Sequence, residues 1–210
     1  MDFDKTIGGY LENTEWKGRT DIGCLLNGCR QMYAATQDER YQKFILQYVE
    51  KMSEEWENAF SKTDVTKKIN AGSAWIFAYE KTGEEKYKEY IERMKDDLMG
   101  LSRTAEGSLC EEGDHKKLMT GQHLYEVLPF YMEYETRYHN KAGYNDIVNQ
   151  LTEMRSGKDA IWYVMALIDV LDHMSIEIFE HYKSLQEIFK KTIKWVEMQR
   201  CRKYAWDMQF

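Results

Sequence analysis

Apolar side chains recur along most of the chain at three- and four-residue spacing, which is the period of helices that bury one face. No stretch alternates apolar and polar residues over the length that a strand needs. The pattern therefore predicts an all-α fold. We predict eight helices, which run from Thr20 or Asp21 to about Thr36, from near Asp38, from about Lys68 to Lys81, from Glu84 to about Leu101, from Leu118 to Tyr138, from about Tyr144 to Met154, from Asp159 to Leu171 and from Ile178 to about Met198.

The predicted helices alternate in character. Odd-numbered helices are apolar on more than one face, and even-numbered helices have one apolar stripe and a charged back. A helix that is apolar all round must be covered on all sides. The alternation therefore indicates inner helices packed against outer ones, as in an α/α toroid or a two-layer array of helical hairpins.

A weak internal repeat supports the hairpin arrangement. Residues 33–41 (YAATQDERY) match residues 79–87 (YEKTGEEKY) at an offset of 46 residues. Each copy lies where an inner helix turns into an outer one, and such hairpins bury their apolar faces only against neighbours. We count four clear hairpins. We expect one domain over residues 1–210, with an extended lead-in at 1–19 and a tail at 201–210.

The predicted helix from Leu118 to Tyr138 contains Pro129, the single proline of the chain. A proline inside a helix removes one backbone donor and crowds the carbonyl four residues earlier, here that of Tyr125. We therefore expect a kink. A kinked helix of this kind is either a bent core helix or part of a functional site.

Charge and composition restrict the partners. The formal net charge of −7 over 210 residues disfavours nucleic acid and anionic membranes, because both need a basic face. Aromatic residues make up 14% of the chain, which suits either sugar stacking or helix interfaces. Four cysteines without a C-x-x-C pair predict structural thiols, and we expect no metal or cofactor. No secretory signal pattern or membrane-spanning apolar run is present, so we predict a cytoplasmic protein.

The proline-containing stretch resembles the unsaturated glucuronyl and rhamnogalacturonyl hydrolases of glycoside hydrolase families 88 and 105. These enzymes remove a 4,5-unsaturated uronic acid from oligosaccharides left by polysaccharide lyases. Their corresponding helix reads roughly M-W-L-D-G-L-Y-M-x-x-P-F-Y-x-x-Y. The matching residues here are Leu124, Tyr125, Pro129, Phe130, Tyr131 and Tyr134.

The resemblance extends from about Trp16 to Arg200 and includes a loop at 103–107 like the family's R-T-x-E-G loop. It implies a barrel of six helical hairpins and a uronic-acid oligosaccharide as ligand. Six hairpins of 46 residues exceed the 210 residues of this chain, so we expect an incomplete ring: open, closed by a partner or completed in another way. An open ring exposes an apolar edge, which predicts a homo-oligomer.

The sequence departs from the family at the positions that carry its chemistry. Gln122 occupies the position of the catalytic aspartate, and His123 replaces the glycine after it. Lys67 corresponds to a second acid, and residues 154–157 are all that remains of a long active-site segment. An amide has no ionisable proton, whereas hydration of the double bond needs a group that gives and takes one. The chain therefore resembles a shortened, degenerate member of the family.

Three hypotheses remain open from the sequence. The first is a protein that keeps the scaffold and has lost catalysis, with residual carbohydrate binding. The second is an active glycoside hydrolase in which His123 or Glu126 replaces the missing acid. The third is a helical-repeat module that binds proteins. For carbohydrate binding, the candidate residues are Lys67, Arg103, His115, His123 and Trp162.

Overall fold

The computed structural model describes residues 20–56, 64–112, 117–152 and 159–207. These residues contain no strand, only two isolated antiparallel bridges, Arg103 with Leu109 and Cys110 with Leu118. The all-α prediction is confirmed. The helices of the described residues are α1 Thr20–Thr36, α2 Glu39–Glu54, α3 Val65–Asn70, α4 Gly72–Thr82, α5 Glu85–Met99, α6 Gly121–Arg137, α7 Tyr144–Gln150, α8 Ala160–His173 and α9 Phe179–Asp207.

The third predicted helix is wrong at its start. Instead of one helix from Lys68, the chain forms α3 and then α4, with Ala71 between them. The Asp64 side chain starts α3 early, because it accepts hydrogen bonds from the backbone N–H and the hydroxyl of Thr66, each at 3.1 Å.

Two later boundaries also differ from the prediction. Helix α7 ends at Gln150, before the predicted Met154. Helix α9 continues to Asp207, so the predicted tail at 201–210 is helical through that residue. No glycine or proline occurs between Phe179 and Asp207, and nothing in the sequence there stops a helix. The predicted lead-in at 1–19 lies outside the described residues.

The chain divides into two compact units, Met1–Gly100 and Leu101–Phe210. The single domain predicted over 1–210 stays a prediction. In the first unit, α4 is buried on nearly every side, as expected of an inner helix. Trp75 lies at its centre and donates a hydrogen bond from Nε1 to the Ser53 hydroxyl at 3.0 Å. The rings of Tyr48 and Trp56 meet Trp75 edge-on, at centroid distances of 6.0 and 5.7 Å.

In the second unit, α6 is the buried helix. Twelve of its residues are buried, and the helix continues past Pro129. Helix α8 packs along α6, and α9 packs against α8 and α7. Apolar side chains remain exposed on α8 and α9 and in the turn between them, namely Ile161, Ile168, Ile176, Phe179 and Met198. The oligomer expected from an apolar edge stays a prediction.

Within the described residues, no helix combines the length and apolar character needed to cross a bilayer. The cytoplasmic location stays a prediction.

Two glycines of α1 provide a matched test of how closely α1 approaches α3. A Cβ on Gly23 would overlap the side-chain amide of Asn70, whereas a Cβ on Gly28 would meet nothing within 4 Å. We expect Gly23→Ala to lower the free energy of unfolding by about 2 kcal/mol through overpacking. Gly28→Ala should raise it by up to about 1 kcal/mol, because alanine favours the helix. Urea denaturation followed by circular dichroism measures both, and equal effects would contradict this packing.

Candidate functional site

The site predicted from the sequence lies at the start of α6. The hydroxyl of Thr120 caps the helix by accepting the backbone N–H of His123 at 3.3 Å. Gly121 allows close approach to the residue before α8, since a Cβ there would lie 2.5 Å from the carbonyl oxygen of Asp159. The first turn of α6 and the start of α8 are therefore held side by side.

Gln122 is paired with a carboxylate. Its Nε2 donates a hydrogen bond to Oε1 of Glu126 at 3.0 Å, one helical turn along. Gln122 is half-buried, and Glu126 is only 1% exposed. The structure thus brings together two of the residues that the sequence selected. Of the two side chains, the carboxyl is the more deeply buried and the amide the more exposed.

His123 and Trp162 make separate contacts with residues near the start of α6. The Nδ1 atom of His123 lies 3.3 Å from the Thr120 hydroxyl and 3.9 Å from a carboxylate oxygen of Glu111, and the side chain is partly exposed. Trp162, at the first turn of α8, places its ring 5.4 Å from that of the buried Tyr125. Amide, imidazole, carboxylate and indole groups are the usual partners of sugar hydroxyls and sugar faces.

Arg103 does not lie free for a ligand. Its guanidinium forms a bidentate ion pair with Asp146, with nitrogen–oxygen distances of 2.9 and 2.8 Å, and also donates to the carbonyl of Gly107 at 2.8 Å. Burial alone would raise the pKa of Asp146. Hydrogen bonds from Arg103 and Gln150 and the guanidinium charge overcome this effect and hold its pKa below the ordinary value.

The position of two other predicted ligand-binding residues relative to the start of α6 stays a prediction. Lys67 is half-buried on α3, in the first unit. His115 lies outside the described residues. Their roles in binding stay predictions.

The sequence missed a set of buried acids farther along α6. Glu133 is 0% exposed and contacts Nε of Arg137 at 3.1 Å and Nε2 of His173 at 3.6 Å. Glu135 is also buried and pairs with Nδ1 of His139 at 2.8 Å. The sequence alone shows no partner for His173 and predicts a surface residue, but its side chain is only 16% exposed, because the end of α8 packs onto α6. The spacing of Glu133 and Arg137 was the available signal.

Comparison with known proteins identifies the family and the fold. The sequence matches Glycosyl Hydrolase Family 88 over residues 9–159, and the chain belongs to this family. Its fold is similar to that of a family 105 glycoside hydrolase from C. acetobutylicum ATCC 824, with a TM-score of 0.72 and 16% sequence identity. The match covers 92% of this chain and 65% of the other. The chain thus has an α/α-toroid fold, as predicted, and spans about two thirds of that hydrolase.

The Arg103–Asp146 pair predicts a pH-dependent contribution to stability. Asp146→Asn should lower the free energy of unfolding at neutral pH by about 2 kcal/mol, because it leaves a half-buried guanidinium without its counter-charge. A carboxyl whose pKa is lowered by folding stabilises above its unfolded pKa and loses that effect as pH falls. The difference between wild type and variant should therefore shrink below about pH 4. Urea titrations at several pH values measure it.

The control for this measurement is Asp172→Asn, which alters an exposed carboxyl at the end of α8. Equal losses in the two variants, or a difference that persists at acid pH, would contradict the assignment.

A second prediction concerns the Gln122–Glu126 pair. Gln122→Asp sets a second negative charge one turn from the buried Glu126 carboxyl, and the two like charges repel each other. The variant should lose about 1–3 kcal/mol at neutral pH and regain it on acidification, because protonation of either carboxyl removes the repulsion. Adding Glu126→Gln should restore an amide–carboxylate pair, and the double variant should regain most of the lost free energy of unfolding. Thermal unfolding at neutral and acid pH measures this, and no rescue by the double variant would refute the pairing.

Proposed function

We propose that this chain is a carbohydrate-binding member of glycoside hydrolase family 88 that has lost the hydration of unsaturated uronides. The observation that carries the proposal is the hydrogen bond from Gln122 to the buried carboxylate of Glu126. The position that should exchange a proton is occupied by an amide, and that amide is held in place by a group behind it.

The chemistry of this pair supports loss of turnover. A glutamine side chain donates and accepts hydrogen bonds but has no ionisable proton at neutral pH. Glu126 carries a carboxyl group, yet this group is buried and its Oε1 already accepts a hydrogen bond from Gln122. General acid–base catalysis contributes roughly a hundred- to ten-thousand-fold, so its loss alone would remove most of the rate.

Retained carbohydrate binding is supported by the groups around the pair. Gln122, His123 and Trp162 are all partly exposed beside the first turn of α6. They offer an amide, an imidazole and an indole ring, and these groups can bind a sugar without acting on it. The uronic-acid oligosaccharide remains the proposed ligand because of the family.

One observation favours a second candidate, an active hydrolase with a relocated acid. The Glu126 carboxyl lies one helical turn from the half-buried Gln122, and its Oε1 is 3.0 Å from Nε2 of that amide. A buried carboxyl is the kind of group that glycosidases use as a proton donor.

A spectroscopic assay tests the proposal. An unsaturated glucuronyl disaccharide absorbs in the ultraviolet through its double bond, and hydration removes this absorbance. We expect the wild-type protein to leave the absorbance unchanged while binding the disaccharide in a titration calorimeter. Asp172→Asn serves as the variant that should not alter binding.

The outcome against the proposal is clear turnover. Absorbance loss that falls by about a hundredfold or more in Glu126→Gln would establish the relocated acid instead. Absence of binding together with absence of turnover would contradict the carbohydrate role.

A further inference from the structure

We propose that Asp146 and Gln150 on α7 are positioning residues for the site at the start of α6. By fixing residues 103–112, here called the 103–112 arm, they determine where the Glu111 carboxylate lies beside His123. The sugar contact in this inference rests on the proposed function, whereas the positioning itself does not.

The α7 end of this connection is a preorganised pair. Asp146 and Gln150 are four residues apart and share one face of the helix. Nε2 of Gln150 donates to Oδ1 of Asp146 at 2.8 Å, which holds both side chains in one orientation. Gln150 is itself buried, and the apolar core residues of α7, including the fully buried Ile147, are separate side chains. Substitutions of the pair therefore leave these apolar side chains in place.

The pair holds the arm at three successive points. Arg103 reaches both carboxylate oxygens of Asp146, at 2.9 and 2.8 Å. The Gly107 carbonyl accepts from Nε2 of Gln150 at 3.1 Å, and the backbone N–H of Leu109 donates to Oε1 of Gln150 at 2.8 Å. Gln150 thus satisfies two backbone groups of the arm with one amide. These contacts fix both the position of the arm along α7 and its distance from α7.

The arm is in turn joined to the start of α6. The backbone N–H of Met119 donates to the Leu109 carbonyl at 3.1 Å, and that of Glu111 donates to the Lys117 carbonyl at 2.8 Å. Met119 directly precedes Thr120, the residue that caps α6. If Leu109 moves, these backbone hydrogen bonds should therefore shift both Glu111 and the residue that caps α6.

The last contact is the one that reaches the site. An oxygen of Glu111 lies 3.9 Å from Nδ1 of His123, and both side chains are partly exposed. This distance is longer than a hydrogen bond, so the contact depends on the backbone that carries Glu111 rather than on a bond of its own. Its position should respond directly when Gln150 or Asp146 is changed.

Nuclear magnetic resonance of the His123 imidazole tests the positioning. We expect Gln150→Ala and Glu111→Gln each to shift the His123 side-chain resonances in the same direction. The double variant should add little to the larger single effect, because both changes act through one contact. Asn149→Ala, an exposed neighbour on the same helix, should leave the resonances unchanged.

Asp146→Asn tests the same contact with a side chain of nearly the same size. It replaces Gln150→Ala in the experiment if that variant does not fold. The inference is overturned if these α7 variants lose thermal stability while the His123 resonances stay at their wild-type positions. Additive shifts in the double variant would also overturn it, since they would show two independent effects.

Binding provides the functional readout. With the unsaturated glucuronyl disaccharide as probe, Gln150→Ala should weaken affinity by about tenfold, although the residue does not reach Gln122, and Asn149→Ala should not. Unchanged affinity in Gln150→Ala would refute the role in binding. If the wild-type protein does not bind the disaccharide, the proposed function fails, and the resonance test still decides the positioning.

Discussion

A hydrogen bond between the Gln122 amide and the buried carboxylate of Glu126 constrains the chemistry of this protein. Burial of a carboxyl is costly unless its oxygens are paired, and the amide supplies a donor at 3.0 Å. The same donor places a group without an ionisable proton where the family resemblance expects an acid. The contact therefore supports the fold locally and, in our proposal, removes catalysis.

The surrounding structure keeps this pair in place from two sides. Gly121 lets the first turn of α6 meet the backbone of Asp159, so the start of α8 and its Trp162 lie alongside. On the other side, Asp146 and Gln150 hold the 103–112 arm, whose backbone pairing leads into the cap of α6. These contacts hold the scaffold around the site, and our proposal assigns it a binding role within a family of hydrolases.

The sequence predicted what depends on local periodicity. The buried α4 and α6 and the single-faced α2 follow from apolar spacing, and the order of family-like motifs indicated the toroid fold. The prediction failed at two helix boundaries. The Asp64 side chain caps α3 earlier than predicted, and α9 extends farther because no residue terminates it. It also missed the contact between His173 and the buried Glu133, because the two residues lie on different helices. Gln122 and Glu126 could be paired in advance because they lie one turn apart. Arg103 and Asp146 are 43 residues apart, with α6 between them, and no local spacing indicates their pairing.

The most direct test of this account is a crystal structure of the protein with an unsaturated glucuronyl disaccharide. We predict an intact sugar, its double bond unhydrated, bound beside Gln122 while the amide still donates to Glu126. A hydrated product at that position, or a sugar contacted by a Glu126 carboxyl that has left Gln122, would contradict the account.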